Sequence, residues 1–299
     1  MSVAKESNSM KHEKYYVPEQ SYWPIVGAIG LFLIALGAGN YVGGLKSGDT
    51  GIFGYVLLSG IAVIVVMVVG WFGTVINESM AGLYSRQMDR SFRQGMSWFI
   101  FSEVMFFGAF FGALFYARMV AVPWLGGAGN NAMTHEVLWP TFEAMWPLVT
   151  TPGGETTQAM GWQGLPLYNT LILLTSSVTL HFAHVALEQD RRRPLTGWLA
   201  ATVLLGVCFL ALQGEEYLHA YQEMNLTLSS GVYGNTFFLL TGFHGLHVTL
   251  GTIMLLTMLV RVVKGHFTPQ KHFAFQASAW YWHFVDVVWL LLFVFVYIL

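Results

Sequence analysis

Seven apolar runs, each about as long as a bilayer is thick, limit what this chain can fold into: residues 24–44, 52–76, 97–120, 166–187, 196–214, 232–260 and 275–298. A hydrocarbon core of about 30 Å takes about 20 residues of helix, and a helix satisfies all its own backbone polar groups where no water can. The chain therefore reads as an all-α polytopic membrane protein with seven transmembrane helices. Its composition agrees, with 55% hydrophobic and 10% charged residues and a mean hydropathy of +0.55, against the roughly 25% charged content of soluble domains. Residues 1–20 form a polar tail without the layout of a cleavable signal, so the first helix is expected to direct insertion and stay in place.

Positive charge sorts by loop. The tail carries Lys5, Lys11 and Lys14; the second loop Arg86, Arg90 and Arg93; the fourth Arg191, Arg192 and Arg193; the sixth Arg261, Lys264 and Lys271. These are twelve of the 14 Lys and Arg residues, and only Lys46 and Arg118 fall on the other side. The positive-inside rule then puts the N-terminus inside and the C-terminus outside. A missed or false helix would scramble this alternation, so it also supports the odd count. No basic cluster resembles a nucleic-acid footprint, and none is expected as a partner. Cys208 is the single cysteine; alone it excludes an internal disulfide, an iron–sulfur cluster and a two-cysteine copper site within this chain.

Most loops are short. The exception is an outer connection at about 122–164, long enough to be functional or partner-facing. Within it, residues 137–146 carry Trp139 and Trp146, which suits either an element lying at the membrane interface or an ordinary ordered loop. No internal repeat is visible.

The costly residues are those that ionise at membrane depth: Glu103 in the third run, His181 and His184 in the fourth, His244 and His247 in the sixth, His283 and Asp286 in the seventh. Such residues mark functional sites and have polar partners. Counting inward at about 1.5 Å per residue, Glu103 lies about 9 Å deep and His181 about 10 Å, while His247 lies about 20 Å deep and Asp286 about 18 Å. Glu103 is thus expected at the level of His181, and His247 at that of Asp286. Each His pair, and His283 with Asp286, is spaced i, i+3 and shares a helix face. Two His-x-x-His helices with carboxylates suggest a di-metal centre; interhelical hydrogen bonding suggests bundle glue. The Glu-x-x-His motif that known di-metal bundles carry on each of two helices is missing as a matched pair, and Gly and Thr interleave with the histidines around residues 234–251. Both points favour glue, with no metal ligands and no catalytic residue.

Several segments resemble a known family. Ser102-Glu103-Val104-Met105-Phe106-Phe107, Thr241-Gly242-Phe243-His244-Gly245-Leu246-His247-Val248 and Ala279-Trp280-Tyr281-Trp282-His283-Phe284-Val285-Asp286 are similar to segments of subunit III of the haem–copper cytochrome c oxidases. So are Leu167-Tyr168-Asn169-Thr170 and Gln213-Gly214-Glu215-Glu216-Tyr217, in the family's order, and the similarity runs from Trp23 onward. The resemblance implies a two-helix bundle at 21–80 and a five-helix bundle at 81–299, separated by a cleft filled with phospholipids. It implies no redox centre in this chain, with haem and copper in partner subunits I and II, the main interface on subunit I, and cytochrome c as electron donor to the complex. The implied role is in keeping subunit I stable and supporting proton uptake in a proton-pumping oxidase of the aerobic respiratory chain.

Carried over residue by residue, Glu103 matches a carboxylate that is protonated or poorly solvated, Arg261, Lys264 and His266 match contacts to lipid phosphate, and Trp71 and Glu78 match the opposite wall of the cleft. Two departures stand out: a longer outer loop after the third helix, and Leu83 and Tyr84 where some members carry a histidine pair. Quinol-type oxidases often have a five-helix subunit III, so seven helices favour the cytochrome c type. A stand-alone di-metal oxidase and a proton-coupled transporter are the alternatives from other classes. His12, His266 and His272 with Glu13 form a weaker proposal as proton buffers near the uptake entrance, against solvated loop residues as the alternative. The preferred location is a bacterial inner membrane, with the mitochondrial inner membrane as the alternative.

Overall fold

The computed structural model describes residues 16–45 and 51–299, and within them it is helical without named strands. His12 and Glu13 of the buffering proposal, most of the polar tail, and Lys46 lie outside the described residues. Seven helices are long and apolar enough to cross a membrane: α1 (Trp23–Leu45), α2 (Phe53–Met80), α3 (Arg86–Tyr116), α6 (Leu165–Glu188), α7 (Arg192–Glu223), α8 (Gly231–Val263) and α9 (Phe273–Leu292). Between α3 and α6, a π turn (Ala117–Ala121) leads into the short α4 (Val122–Leu125), a 3-10 turn (Gly129–Asn131) and α5 (Ala132–Leu138). A second π turn, Phe293–Ile298, extends α9.

The chain divides into Met1–Phe92 and Arg93–Leu299, with the boundary inside α3. In the first unit α1 packs on α2 through glycines. A Cβ on Gly37 would stand 2.4 Å from the Leu57 backbone nitrogen, and one on Gly60 2.7 Å from that of Ile34. Lipid tails are as apolar as the helices, so close backbone approach and dispersion hold the pair, and both depend on small residues.

In the second unit α6 packs on α7, α7 on α8, α8 on α9 and α9 back on α6, closing a four-helix core. Trp282 and Trp289 on α9 fill it, both fully buried. They are seven residues apart, two turns on one face. Trp282 Nε1 donates to Ser176 Oγ at 2.9 Å, and Trp289 Nε1 donates to Thr170 Oγ1 at 2.9 Å. The indole of Trp282 occupies room left by Gly206 and Gly251, at each of which a Cβ would come within 2.8 Å of it. The part of α3 in this unit joins through long side chains: Phe106 and Phe110 meet Phe243, and Phe99 stacks on Tyr281.

Two helices outrun their apolar stretches. α3 begins at Arg86 rather than 97, and α7 continues to Glu223 rather than 214, because polar residues continue a helix that the hydrophobic core has already nucleated. In the outer connection the helical elements are α4, the 3-10 turn and α5, which ends at Leu138, at the start of the Trp-bearing stretch. Residues 139–163 form an ordered loop whose Phe142, Leu148 and Met160 are buried. Trp146 packs edge-on against Tyr233, and the Met160 N–H donates to the Tyr233 hydroxyl at 3.0 Å.

The close fit around Trp282 gives a test with an internal control. Gly251→Ala forces a Cβ into the indole and is expected to destabilise the purified complex by about 1–3 kcal/mol of overpacking, read as a lower thermal midpoint. Gly245→Ala on the same helix meets open space and is expected to be neutral or stabilising.

Candidate functional site

The histidine partner of Glu103 is on α8. Glu103 Oε2 lies 2.9 Å from His247 Nε2, and His247 Nδ1 lies 2.6 Å from the Phe243 carbonyl oxygen. That carbonyl can only accept, so Nδ1 donates its N–H there and the ring meets the carboxylate through Nε2. Both side chains are largely shielded, at 10% and 21% exposure, and Phe106 and Phe107 flank the imidazole. This corrects the expectation that placed Glu103 at the level of His181. Glu103 is 17 residues from the start of α3, and His247 is 16 from the end of α8. At about 1.5 Å per residue these are about 25 Å and 24 Å. The depth count failed because it began at 97, where the apolar run starts, rather than at Arg86, where the helix starts.

The remaining polar residues at membrane depth do not converge. His181 is exposed on the outer face of α6. His244 is fully buried, its Nε2 lies 3.2 Å from the Val285 carbonyl oxygen, and Phe209 and Trp289 enclose its ring. His283 Nδ1 lies 2.9 Å from Ser177 Oγ. Asp286 is buried with neither carboxylate oxygen in a hydrogen bond, so it does not meet His247. His184 packs instead against His272 and Phe275. The two His-x-x-His pairs thus take different partners, as separate interhelical contacts do.

Two groups escaped the reading by run and spacing. Glu216 is buried on α7 and accepts a 2.6 Å hydrogen bond from the Tyr297 hydroxyl. Ending the fifth run at 214 had put this carboxylate in water. His184, Glu188 and His272 offer ligand atoms within 4.8 Å of one another, a grouping that i, i+3 spacing does not reveal because Glu188 is at i+4 and His272 on another element.

At the end of α8, Arg261 is buried, and its guanidinium lies 4.4 Å over the Phe267 ring. Its Nε has no hydrogen-bond partner, nor does the buried Nδ1 of His266. The His266 N–H donates to the Arg261 carbonyl at 3.0 Å across a turn where Gly265 has φ +72°, a conformation that suits glycine. Lys264 caps the helix and is exposed. In the first unit Trp71 is half exposed. Glu78 is held by two phenols, the Tyr16 hydroxyl on Oε1 at 3.2 Å and the Tyr84 hydroxyl on Oε2 at 2.8 Å.

Tyr84 therefore serves where some members of the resembled family carry a histidine, as a donor to Glu78. Burial, then the hydrogen bond to Glu78, push its hydroxyl up from the ordinary phenol value. A raised value in the fold means that this contribution is complete below about pH 10 and is lost only at higher pH. No change in the Tyr84 phenol absorbance is expected between pH 6 and 10; ionisation inside that range would contradict the arrangement.

The Glu103–His247 pair yields an ordering of variants. His247→Ala leaves a shielded carboxylate unpaired, at a cost of about 1–3 kcal/mol. Glu103→Gln keeps a hydrogen-bonding partner and costs less, in line with the roughly 0.6 kcal/mol average of interhelical hydrogen bonds in membranes. Thermal release of the chain from the purified complex is expected earliest for His247→Ala, and the opposite order would refute this geometry.

Comparison with known proteins shows the family. The family model "Cytochrome c oxidase subunit III" matches residues 12–151 and 131–299. The chain is 39% identical over 294 residues to "Cytochrome c oxidase subunit 3" of Marchantia polymorpha, covering 97% of this chain and 98% of the relative. It is 38% identical over 284 residues to that of Danio rerio, covering 95% and 96%, and 38% identical over 288 residues to that of Loxodonta africana, with the same coverage. With its seven spanning helices and matches along nearly its whole length, the chain belongs to the cytochrome c oxidase subunit III family, as a multi-pass membrane subunit of an oxidoreductase complex.

Proposed function

We propose that this chain is the non-redox, lipid-binding subunit of a proton-pumping cytochrome c oxidase, holding phospholipid and steadying subunit I while haem and copper in subunits I and II carry out the chemistry. Cytochrome c is the donor to the complex, and the membrane is a respiratory inner membrane, bacterial in the preferred reading. The basic loops lie on its inner face.

The observation that carries this reading is the end of α8. A buried guanidinium with an unpartnered Nε sits beside a second unpartnered donor or acceptor, His266 Nδ1, and no described ion pair includes Arg261. Burying a charge without a counter-charge is expensive. A phosphodiester supplies the counter-charge and accepts the planar fork of donors bidentately, while Phe267 and the apolar flank of α8 suit its acyl chains. Lys264 adds a mobile charge at the aqueous edge. Trp71 and Glu78 are further lipid contacts in this reading.

Proton uptake is supported rather than carried out here. His266 and the part-buried His272 stand at the basic end of α8 and the turn that follows it. Glu103, fixed to His247, is a structural acid off the pumped-proton route.

Arg261→Ala is expected to leave initial turnover intact, to shorten working life by several-fold under continuous turnover, and to lower the phospholipid phosphorus retained per haem. Unchanged inactivation kinetics and unchanged phosphorus would overturn the lipid role.

A further inference from the structure

We infer that His184, Glu188 and His272 form a binding site for a borderline-soft divalent cation of the zinc type, joining the end of α6 to the start of α9. This does not rest on the lipid reading. His184 and Glu188 are one turn apart on α6, i and i+4, so both side chains leave the same face. His272 is the N-cap residue of α9 and meets the His184 ring at a centroid distance of 5.5 Å. The three offer ligand atoms within 4.8 Å of one another.

The contact between His184 Nε2 and Glu188 Oε1 is 3.8 Å long, too long for a hydrogen bond. That nitrogen is buried and has no other partner, which is unusual for a buried polar atom. A tetrahedral zinc with bonds of about 2.1 Å holds its ligand atoms about 3.4 Å apart, so small side-chain rotations close the set around an ion. His272 is already oriented. Its Nδ1 lies 3.2 Å from the Thr268 carbonyl oxygen, and the turn beneath is fixed by the Lys271 N–H donating to that same carbonyl at 3.1 Å. A carbonyl that accepts from Nδ1–H leaves the lone pair on Nε2, the arrangement that supports metal-ligating histidines.

The donor set decides the cation class. Two imidazoles and one carboxylate suit zinc, cobalt or cadmium, whereas magnesium and calcium take oxygen ligands. Phe275 walls one side of His184, and Glu188 is 59% exposed, so the site opens to water and leaves a position for a solvent ligand. The nearby Arg192 is engaged elsewhere, with Asp190 at 3.1 Å and with the Phe267 carbonyl at 2.6 Å.

The test uses the intact oxidase complex, stripped with chelator and dialysed against graded zinc, with bound metal counted per haem and the zinc environment read by X-ray absorption. Wild type is expected to bind one zinc more per complex than His272→Gln or Glu188→Gln, or to hold that zinc at least about tenfold more tightly. Its spectrum should carry imidazole scattering that His272→Gln loses. Glu188→Gln changes an exposed side chain, so it reports even if His272→Gln fails to assemble. Equal zinc stoichiometry, affinity and spectra in wild type and Glu188→Gln would overturn the proposal, as would displacement of the zinc by an equal concentration of magnesium.

Discussion

Every polar hydrogen inside a bilayer must find its acceptor within the protein, and the second unit is arranged around two that do. The indole N–H groups of Trp282 and Trp289 reach Ser176 and Thr170 on α6. These bonds fix the rotation of α9 about its axis. With α9 fixed, Trp282 is placed in the space that Gly206 and Gly251 leave on α7 and α8, and His244 is set beside Trp289 with its Nε2 at the Val285 carbonyl. One pair of hydrogen bonds thus sets the register of four helices. No hydrophobic force between lipid-solvated helices would set it, because lipid and side chain are equally apolar.

Glu103 follows from the same constraint. A carboxylate at this depth is costly without a partner, and for Glu103 α8 supplies His247, itself anchored through Nδ1 to its own backbone. The pair ties α3, which also meets the core through aromatic side chains and through Arg93 on Gln276 and Phe273, to a helix whose position is already set. Arg261 is the contrasting case: a buried charge whose Nε has no protein partner, at the end of a helix that reaches toward water. In the proposed reading, a chain held by bundle glue at its centre carries a ligand-holding surface at its edge.

The number and type of the helices were legible in the sequence because 20-residue apolar runs have no other stable outcome in a membrane. Their ends were not, because Arg86 to Ser97 and Glu215 to Glu223 continue helices with polar side chains that a hydropathy reading assigns to loops. The first of these moved Glu103 by about 16 Å relative to its helix start and paired it with the wrong histidine, and the second left Glu216 in water when it is buried against Tyr297. The site residues at the end of α8 were legible only through resemblance, since Arg261 and Lys264 look like ordinary basic anchors until burial and the orphan nitrogens are seen. Glu188 was not legible, because its meaning depends on His272, which is brought to it by folding.

The central claim is that Glu103, paired with His247, holds the bundle together and does not carry the pumped proton. The most direct measurement is the number of protons pumped per electron by an oxidase carrying Glu103→Gln, reconstituted in vesicles. The account predicts a stoichiometry close to that of wild type, because glutamine keeps a hydrogen bond within reach of His247. Complete loss of pumping with electron transfer intact would contradict it.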